Sequence, residues 1–160
     1  MKTEEIKKIL EESKTIAMIG VSSEKKKEDP KNIKRKPANV VMKYMQDFGY
    51  KVIPINPFAK GEIINGEKVL EDLDDIDSPV DIVDVFRPSK EAIIYANKAI
   101  RLSPKALWLQ YGIHNDEAQN ISENANIKYI SDKCIKQEYQ KIFQKSNPVF
   151  PVLRLSLIHI

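Results

Sequence analysis

Several features that would announce a function are scarce in this chain. It has one cysteine, two histidines, one tryptophan and five glycines in 160 residues. A single thiol, Cys134, excludes an internal disulfide framework and a cysteine-rich metal site. No run approaches the ~18 apolar residues of a membrane span. Met1-Lys2-Thr3-Glu4-Glu5 has no apolar segment behind it, so no signal peptide is expected. Neither sign of charge dominates: 26 Lys and Arg stand against 23 Asp and Glu, a net +3. That balance gives no case for a nucleic-acid partner. What remains is an ordinary globular composition, 42% hydrophobic and 31% charged. The length suits one domain with a real core. The expectation is a cytoplasmic protein without a membrane or nucleic-acid partner.

The patterning alternates between short apolar runs and helical spacings. Residues 3–13 carry Ile6, Ile9 and Leu10 on one helical face. Ile16–Ile19 reads as a buried strand ending on Gly20. Residues 21–36 form a long loop with seven Lys or Arg against three acids. Pro37 suits the first position of a helix, whose apolar face is Val41, Tyr44, Met45 and Phe48, with Gly49 as its stop. A second strand, Lys51–Ile55, is expected to be ended by Pro54 and Pro57. Asn65-Gly66 marks a tight turn, followed by a short strand near Val69. Val80–Phe86 reads as a central strand, and Ser89 as the cap of the next helix, with Ala92, Ile93, Ala96 and Ile100 as its apolar face. Ala106–Leu109 and Ile127–Ile130 are further strands. Asn115 caps a helix between them, and a last helix over 134–144 packs through Ile135, Ile142 and Phe143. Strands alternating with helices predict an α/β, Rossmann-like, doubly wound domain, mainly parallel, with helices on both faces. The domain is expected over 1–144. Residues 145–160 are read as an irregular tail that is not native, with a genuine edge strand as the alternative. Pro148 and Pro151 interrupt it, and its last six residues, Leu155–Ile160, are also what a common sequencing adapter encodes. His159 therefore receives no functional weight.

Ligands of doubly wound sheets bind beyond the carboxyl ends of the strands, where the strand order reverses. Five strand ends place chemistry there: Gly20-Val21-Ser22, Asn56-Pro57, Phe86-Arg87, Gln110-Tyr111-Gly112 and Ser131-Asp132-Lys133-Cys134. Gly20 lets the backbone approach a phosphate, Ser22 offers a hydroxyl, and the helix opening at Pro37-Ala38-Asn39 favours an anion. Lys25, Lys31, Lys34, Arg35 and Lys36 add cations. The G-x-G-x-x-G fingerprint is absent. So is the carboxylate that an NAD site places after the second strand, where this chain has Asn56. NAD is disfavoured on that ground; NADP stays open. Catalytic groups are sparse. His114 reads as a surface turn residue, and Asp84 as a buried, hydrogen-bonded carboxyl. Cys134 beside Lys133 and Lys136 is either a reactive thiol or a half-buried inert one.

The stretches Thr15–Ser22, Gly49–Pro57, Gly61–Val69, Val80–Arg87, Leu107–Gly112 and Ser131–Lys136 resemble, in order, the small stand-alone CoA-binding proteins. That family is Rossmann-like and related to the CoA-binding domain of the succinyl-CoA synthetase alpha subunit. The resemblance runs from about residue 13 to 143. It implies CoA or acyl-CoA across the strand ends, with Gly20, Val21 and Ser22 at the phosphates. It sets Asn56 and Pro57 on the adenosine side, Phe86 and Arg87 beside the pyrophosphate or pantetheine, and Gln110 and Gly112 on the far wall. Arg35, Lys36, Pro37 and Cys134 complete the expected binding set. Two departures stand out. The loop after the first strand is lysine-rich, and the Glu-His pair that commonly follows Cys-Ile-Lys in the family is here Glu138-Tyr139. The ligase also needs a phosphohistidine from a second domain, so ligase activity is not expected. Non-catalytic CoA or acyl-CoA binding is the leading expectation. The alternatives are an NADP-linked oxidoreductase, a Cys134-dependent acyl or thiol-exchange enzyme, and an interaction module with a vestigial pocket. A homodimer is left open.

Overall fold

A computed structural model describes residues 1–26 and 36–144. The expectations for Lys31, Lys34, Arg35 and the 145–160 tail lie outside the described residues. Helix α1 (Thr3–Glu12) precedes β1 (Thr15–Ile19), and α2 (Pro37–Asp47) leads into β2 (Lys51–Ile55). A small hairpin, β3 (Ile63–Ile64) and β4 (Glu67–Lys68), follows. Then come β5 (Ile82–Val85), α3 (Ala92–Leu102), β6 (Ala106–Leu109), α4 (Asp116–Asn124), β7 (Lys128–Ile130) and α5 (Ile135–Phe143). The main sheet runs β2-β1-β5-β6-β7, and all its pairings are parallel. The chain adds β2 on one side of β1 and β5 on the other, so strand order reverses between β1 and β5. This is the Rossmann-like, doubly wound arrangement expected from the alternating pattern.

Because strand side chains alternate in direction, the sheet has two cores. On one face Ile16, Met18, Ile82, Ala106, Trp108 and Ile130 meet α1, α2 and α5. On the other, Ala17, Ile19, Val83, Val85, Leu107 and Leu109 pack against α3 and α4. Small residues Ala92, Ala96 and Ala99 give α3 its buried face. Ile100, expected to pack, is 44% exposed instead.

Two local expectations need correcting. Pro54 lies inside β2, opposite Met18, and does not end it. β2 is an edge strand of the main sheet, where a missing N–H is tolerated, and the Pro54 carbonyl accepts from Leu70 N–H at 2.9 Å. Ser89 does not cap α3. It opens a single 3₁₀ turn, Ser89–Glu91, and its Oγ accepts the His114 N–H at 3.1 Å. Asn115 does cap α4: its Oδ1 accepts from Ala118 N–H at 2.9 Å. Asn65 and Gly66 sit at φ 49° and 80°, as a two-residue type I′ hairpin requires.

Tyr139 is 4% exposed. It is the hub of an aromatic cluster, with Phe143 at 4.6 Å, Phe48 at 5.0 Å, and Tyr44 and Tyr50 each at 6.1 Å between ring centroids. This residue welds α5 to α2 and to the entry of β2.

Candidate functional site

Gly20 ends β1 at the reversal point. Its φ is +100°, and a Cβ there would sit 2.8 Å from the Phe86 carbonyl oxygen. Its N–H donates to Ile55 O at 2.9 Å, and Phe86 N–H donates to Ile19 O at 2.9 Å. The backbones of β1, β2 and β5 are therefore drawn together at one point where only glycine fits.

The chain after Gly20 is held from two directions. Asn39, in the first turn of α2, accepts from Ser22 N–H at 2.8 Å through Oδ1 and donates to Ser22 O at 2.9 Å through Nδ2. Asn56 donates through Nδ2 to Val21 O at 2.9 Å, while its Oδ1 accepts from Phe58 N–H at 3.0 Å. Both amides shape the turn. Val21 is fully buried, so the turn presents this residue by its backbone. Pro37 stands at the start of α2, its N-cap residue Lys36 makes no side-chain capping bond, and the first turn carries no acid. The Ala38 and Asn39 N–H groups belong to the first turn, beyond reach of any carbonyl of the helix itself.

The flank of the basic loop is anchored by a buried carboxylate. Ser23, 1% exposed, donates its hydroxyl to Glu62. Glu62 also accepts from Glu24 N–H at 3.1 Å. The Ser23 hydroxyl lowers the Glu62 pKa, and the backbone N–H groups add to the effect against burial. Lys26 N–H donates to Ser23 Oγ at 2.8 Å. Lys36 Nζ donates to Ser23 O at 2.9 Å, so this lysine braces the two ends of the loop against each other.

Beside the Gly20 turn opens a cleft of about 380 Å³ lined by Asn56, Pro57, Phe58, Arg87, Glu91 and Tyr95. Arg87 and Glu91 form a two-pronged pair, Nε to Oε1 at 3.2 Å and a terminal nitrogen to Oε2 at 3.0 Å. Burial raises the Tyr95 pKa, with Glu91 second. Phe86 turns the other way and packs against the α1–α2–α5 core. The two neighbours thus serve opposite faces of the sheet.

Gln110 does not line an outer wall. It is 4% exposed, its Nε2 donates to Asp84 Oδ1, and its Oε1 accepts from Ile135 N–H at 3.3 Å. Gln110 ties the central strand to the start of α5. Asp84 is fully buried, and its Oδ2 has no hydrogen-bond partner among the described residues. Burial pushes this carboxyl up to about 8, against a smaller opposing pull from Gln110. Trp108 Nε1 donates to Lys133 O at 2.7 Å, so β6 grips residues 133 and 135 on either side of Cys134. That thiol is half-buried at the start of α5. Gly112 N–H donates to Asp132 Oδ1 at 2.7 Å, and none of the described residues lies within 4 Å of a Cβ added there.

The structure therefore brings Gly20, Asn56, Pro57 and Arg87 together at the cleft, with Val21, Ser22, Lys36 and Pro37 on the adjoining loop and helix start. It sets Gln110 inside the core and leaves Gly112 and Cys134 on the β6–β7 side of the rim. Asn39 and Glu62 organise the turn, a duty that sequence reasoning missed. Asn39 carries a usable signal, being an amide in the first turn of the helix that follows the glycine turn. Glu62 carries none, because its partner is 39 residues away. Among the described residues no group of three or more His, Cys, Asp or Glu could hold a metal ion. No helix among them is long and apolar enough to cross a membrane.

The strand order defines a Rossmann-like, doubly wound domain whose carboxyl edge is gathered at a glycine turn between β1 and β5. The chain belongs to the CoA binding domain family, whose model matches residues 14–140. It is 36% identical over 132 residues to the uncharacterized protein YneT of Bacillus subtilis, covering 82% of this chain and 90% of that one. A solved Thermus thermophilus protein is similar at 34% identity and TM-score 0.77, covering 89% of this chain and all of that one. A hypothetical protein from Pyrococcus horikoshii matches at 30% identity and TM-score 0.76, covering 89% and 92%. The fold also recurs in a dinucleotide-forming acetyl-coenzyme A synthetase of Ca. Korarchaeum cryptofilum, at 19% identity and TM-score 0.55, over 25% of that chain.

Proposed function

We propose that this protein binds CoA or acyl-CoA at the carboxyl edge of its sheet. The observation that carries the reading is the Gly20 turn. A residue that tolerates no Cβ brings backbone to the strand reversal point, next to a helix start with no side-chain cap from its N-cap residue and no acid in its first turn. In a chain of the CoA binding domain family, that combination suits a pyrophosphate. Gly20, Val21 and Ser22 meet the phosphates with the opening of α2. Asn56, Pro57, Phe58, Arg87 and Tyr95 shape the cleft for the nucleoside side. Arg35 and its neighbouring lysines add charge for the 3′-phosphate; the rest of the rim, including Cys134, faces the pantetheine arm.

The Arg87–Glu91 pair supports a recognition role rather than bulk electrostatics, because Glu91 already balances the guanidinium. Isothermal titration with CoA, dephospho-CoA and NADP tests the reading. CoA is expected to bind most tightly, with dephospho-CoA weaker and more weakly salt-dependent, since it lacks the 3′-phosphate that the basic loop meets. Equal affinity for CoA and NADP, or no heat with CoA, would overturn it.

A further inference from the structure

The far end of the same rim carries a second constellation. His114, on the loop after β6, has its Nε2 2.7 Å from Asp116 Oδ1 and its Nδ1 3.1 Å from Ser131 Oγ, at the end of β7. The Tyr129 hydroxyl lies 3.2 Å from the same Nδ1 and has its own partners in the Asn115 backbone, accepting from N–H at 3.0 Å and donating to O at 3.2 Å. The Tyr129 ring stands edge-on to the imidazole, with centroids 5.9 Å apart. In the tautomer whose Nε2–H donates to Asp116, the Nδ1 lone pair is left to accept the Ser131 O–H. A cavity of about 230 Å³ opens on these groups, lined by His114, Ser131, Tyr129, Gln119 and Lys133. Nucleophile and base thus stand hydrogen-bonded at a cavity whose lining includes Lys133, with the exposed Asp116 carboxylate on the other side of the imidazole.

We infer that Ser131, His114 and Asp116 form a serine acyl-transfer site that hydrolyses acyl thioesters. The thioester class rests on the CoA reading above. β7 lies two to three strand spacings from the β1–β5 reversal, roughly 10–14 Å, and the pantetheine arm separates phosphate from sulfur by a length of that order.

In the first step Ser131 Oγ bonds to the thioester carbonyl carbon as its proton passes to His114 Nδ1. The C–S bond then breaks, and the departing sulfur takes the proton from His114. In the second step water gives a proton to Nδ1 and bonds to the acyl carbon, and Ser131 Oγ leaves with that proton restored. The net reaction is thioester plus water to thiol plus carboxylic acid.

An aryl fluorophosphonate probe, which contains no CoA, tests the nucleophile separately from the CoA site. Peptide mapping of the full chain is expected to find one phosphonyl adduct, on Ser131. It should be lost in Ser131→Ala and form about a hundredfold more slowly in His114→Gln. Thiol release from acetyl-CoA should fall to background in both variants. No adduct on wild-type Ser131, or equal labelling in His114→Gln, would overturn the inference whether or not CoA binds. Labelling with CoA bound but no thiol release above the Ser131→Ala level would overturn the thioester assignment.

Discussion

Replacing Asp84 by asparagine should make the protein more stable, by an amount that depends on pH in a calculable way. The side chain is fully buried in the central strand, and burial pushes its carboxyl up to about 8, against about 3.9 in the unfolded chain. Between those values the folded state holds a proton that the unfolded state has released. Stability therefore falls as pH rises through this window, by about 1.4 kcal/mol per pH unit. The window spans about 4 units, so the total is on the order of 6 kcal/mol, of which about 4 is lost by pH 7. The Asp84→Asn variant would keep the carbonyl that accepts from Gln110 and remove the titration. Its amide adds one N–H to the pocket, at a cost of about 1 kcal/mol. The variant should thus match the natural chain, or fall about 1 kcal/mol short, near pH 4. It should exceed it by about 3 kcal/mol at pH 7 and level off near 5 above pH 8. Trp108 pairs with Asp84 across β5 and β6 and is fully buried. As the only tryptophan, it reports urea unfolding directly. A stability difference that stayed constant from pH 4 to pH 9 would refute the reasoning.

Gly20→Ala should destabilise the fold by about 1–3 kcal/mol for the left-handed backbone alone. The 2.8 Å approach to the Phe86 carbonyl adds to that, and CoA affinity should drop at least tenfold in calorimetry. Asn39→Ala leaves the Ser22 N–H and C=O without their side-chain partner. It is expected to cost about 1–3 kcal/mol in urea melts and to weaken CoA binding through a looser turn. Tyr139→Ala removes the hub of the aromatic cluster and should cost about 3–5 kcal/mol, with CoA affinity unchanged in a chain that remains folded.

The fold was legible because its signals are local. The Ile16–Ile19 run, the Pro37 start, the Gly49 stop and the Asn115 cap each state their element within a few residues, and the alternation of elements yields the parallel sheet. Pro54 misled because its tolerance depends on β2 being an edge strand, which is a property of the assembled sheet. Ser89 misled because its hydroxyl had a more distant partner, 25 residues away in His114, that outcompeted the helix end. The site was legible as a set of strand ends and only partly as a set of duties. Gly20 declares itself by position. Gln110 sits on the same rim in sequence, yet its direction was set by a buried acid on the neighbouring strand, 26 residues earlier. His114 is the exposed turn residue that its sequence position suggests; its contact with Ser131, 17 residues later, depends on the pairing of β6 with β7 and has no local signal.

Whether the rim holds CoA is tested most directly by native mass spectrometry of the freshly purified full chain. The expected result is a retained CoA or acyl-CoA adduct, or one that forms on adding CoA and is lost in Gly20→Ala. A bare mass that stays bare with CoA present would contradict it.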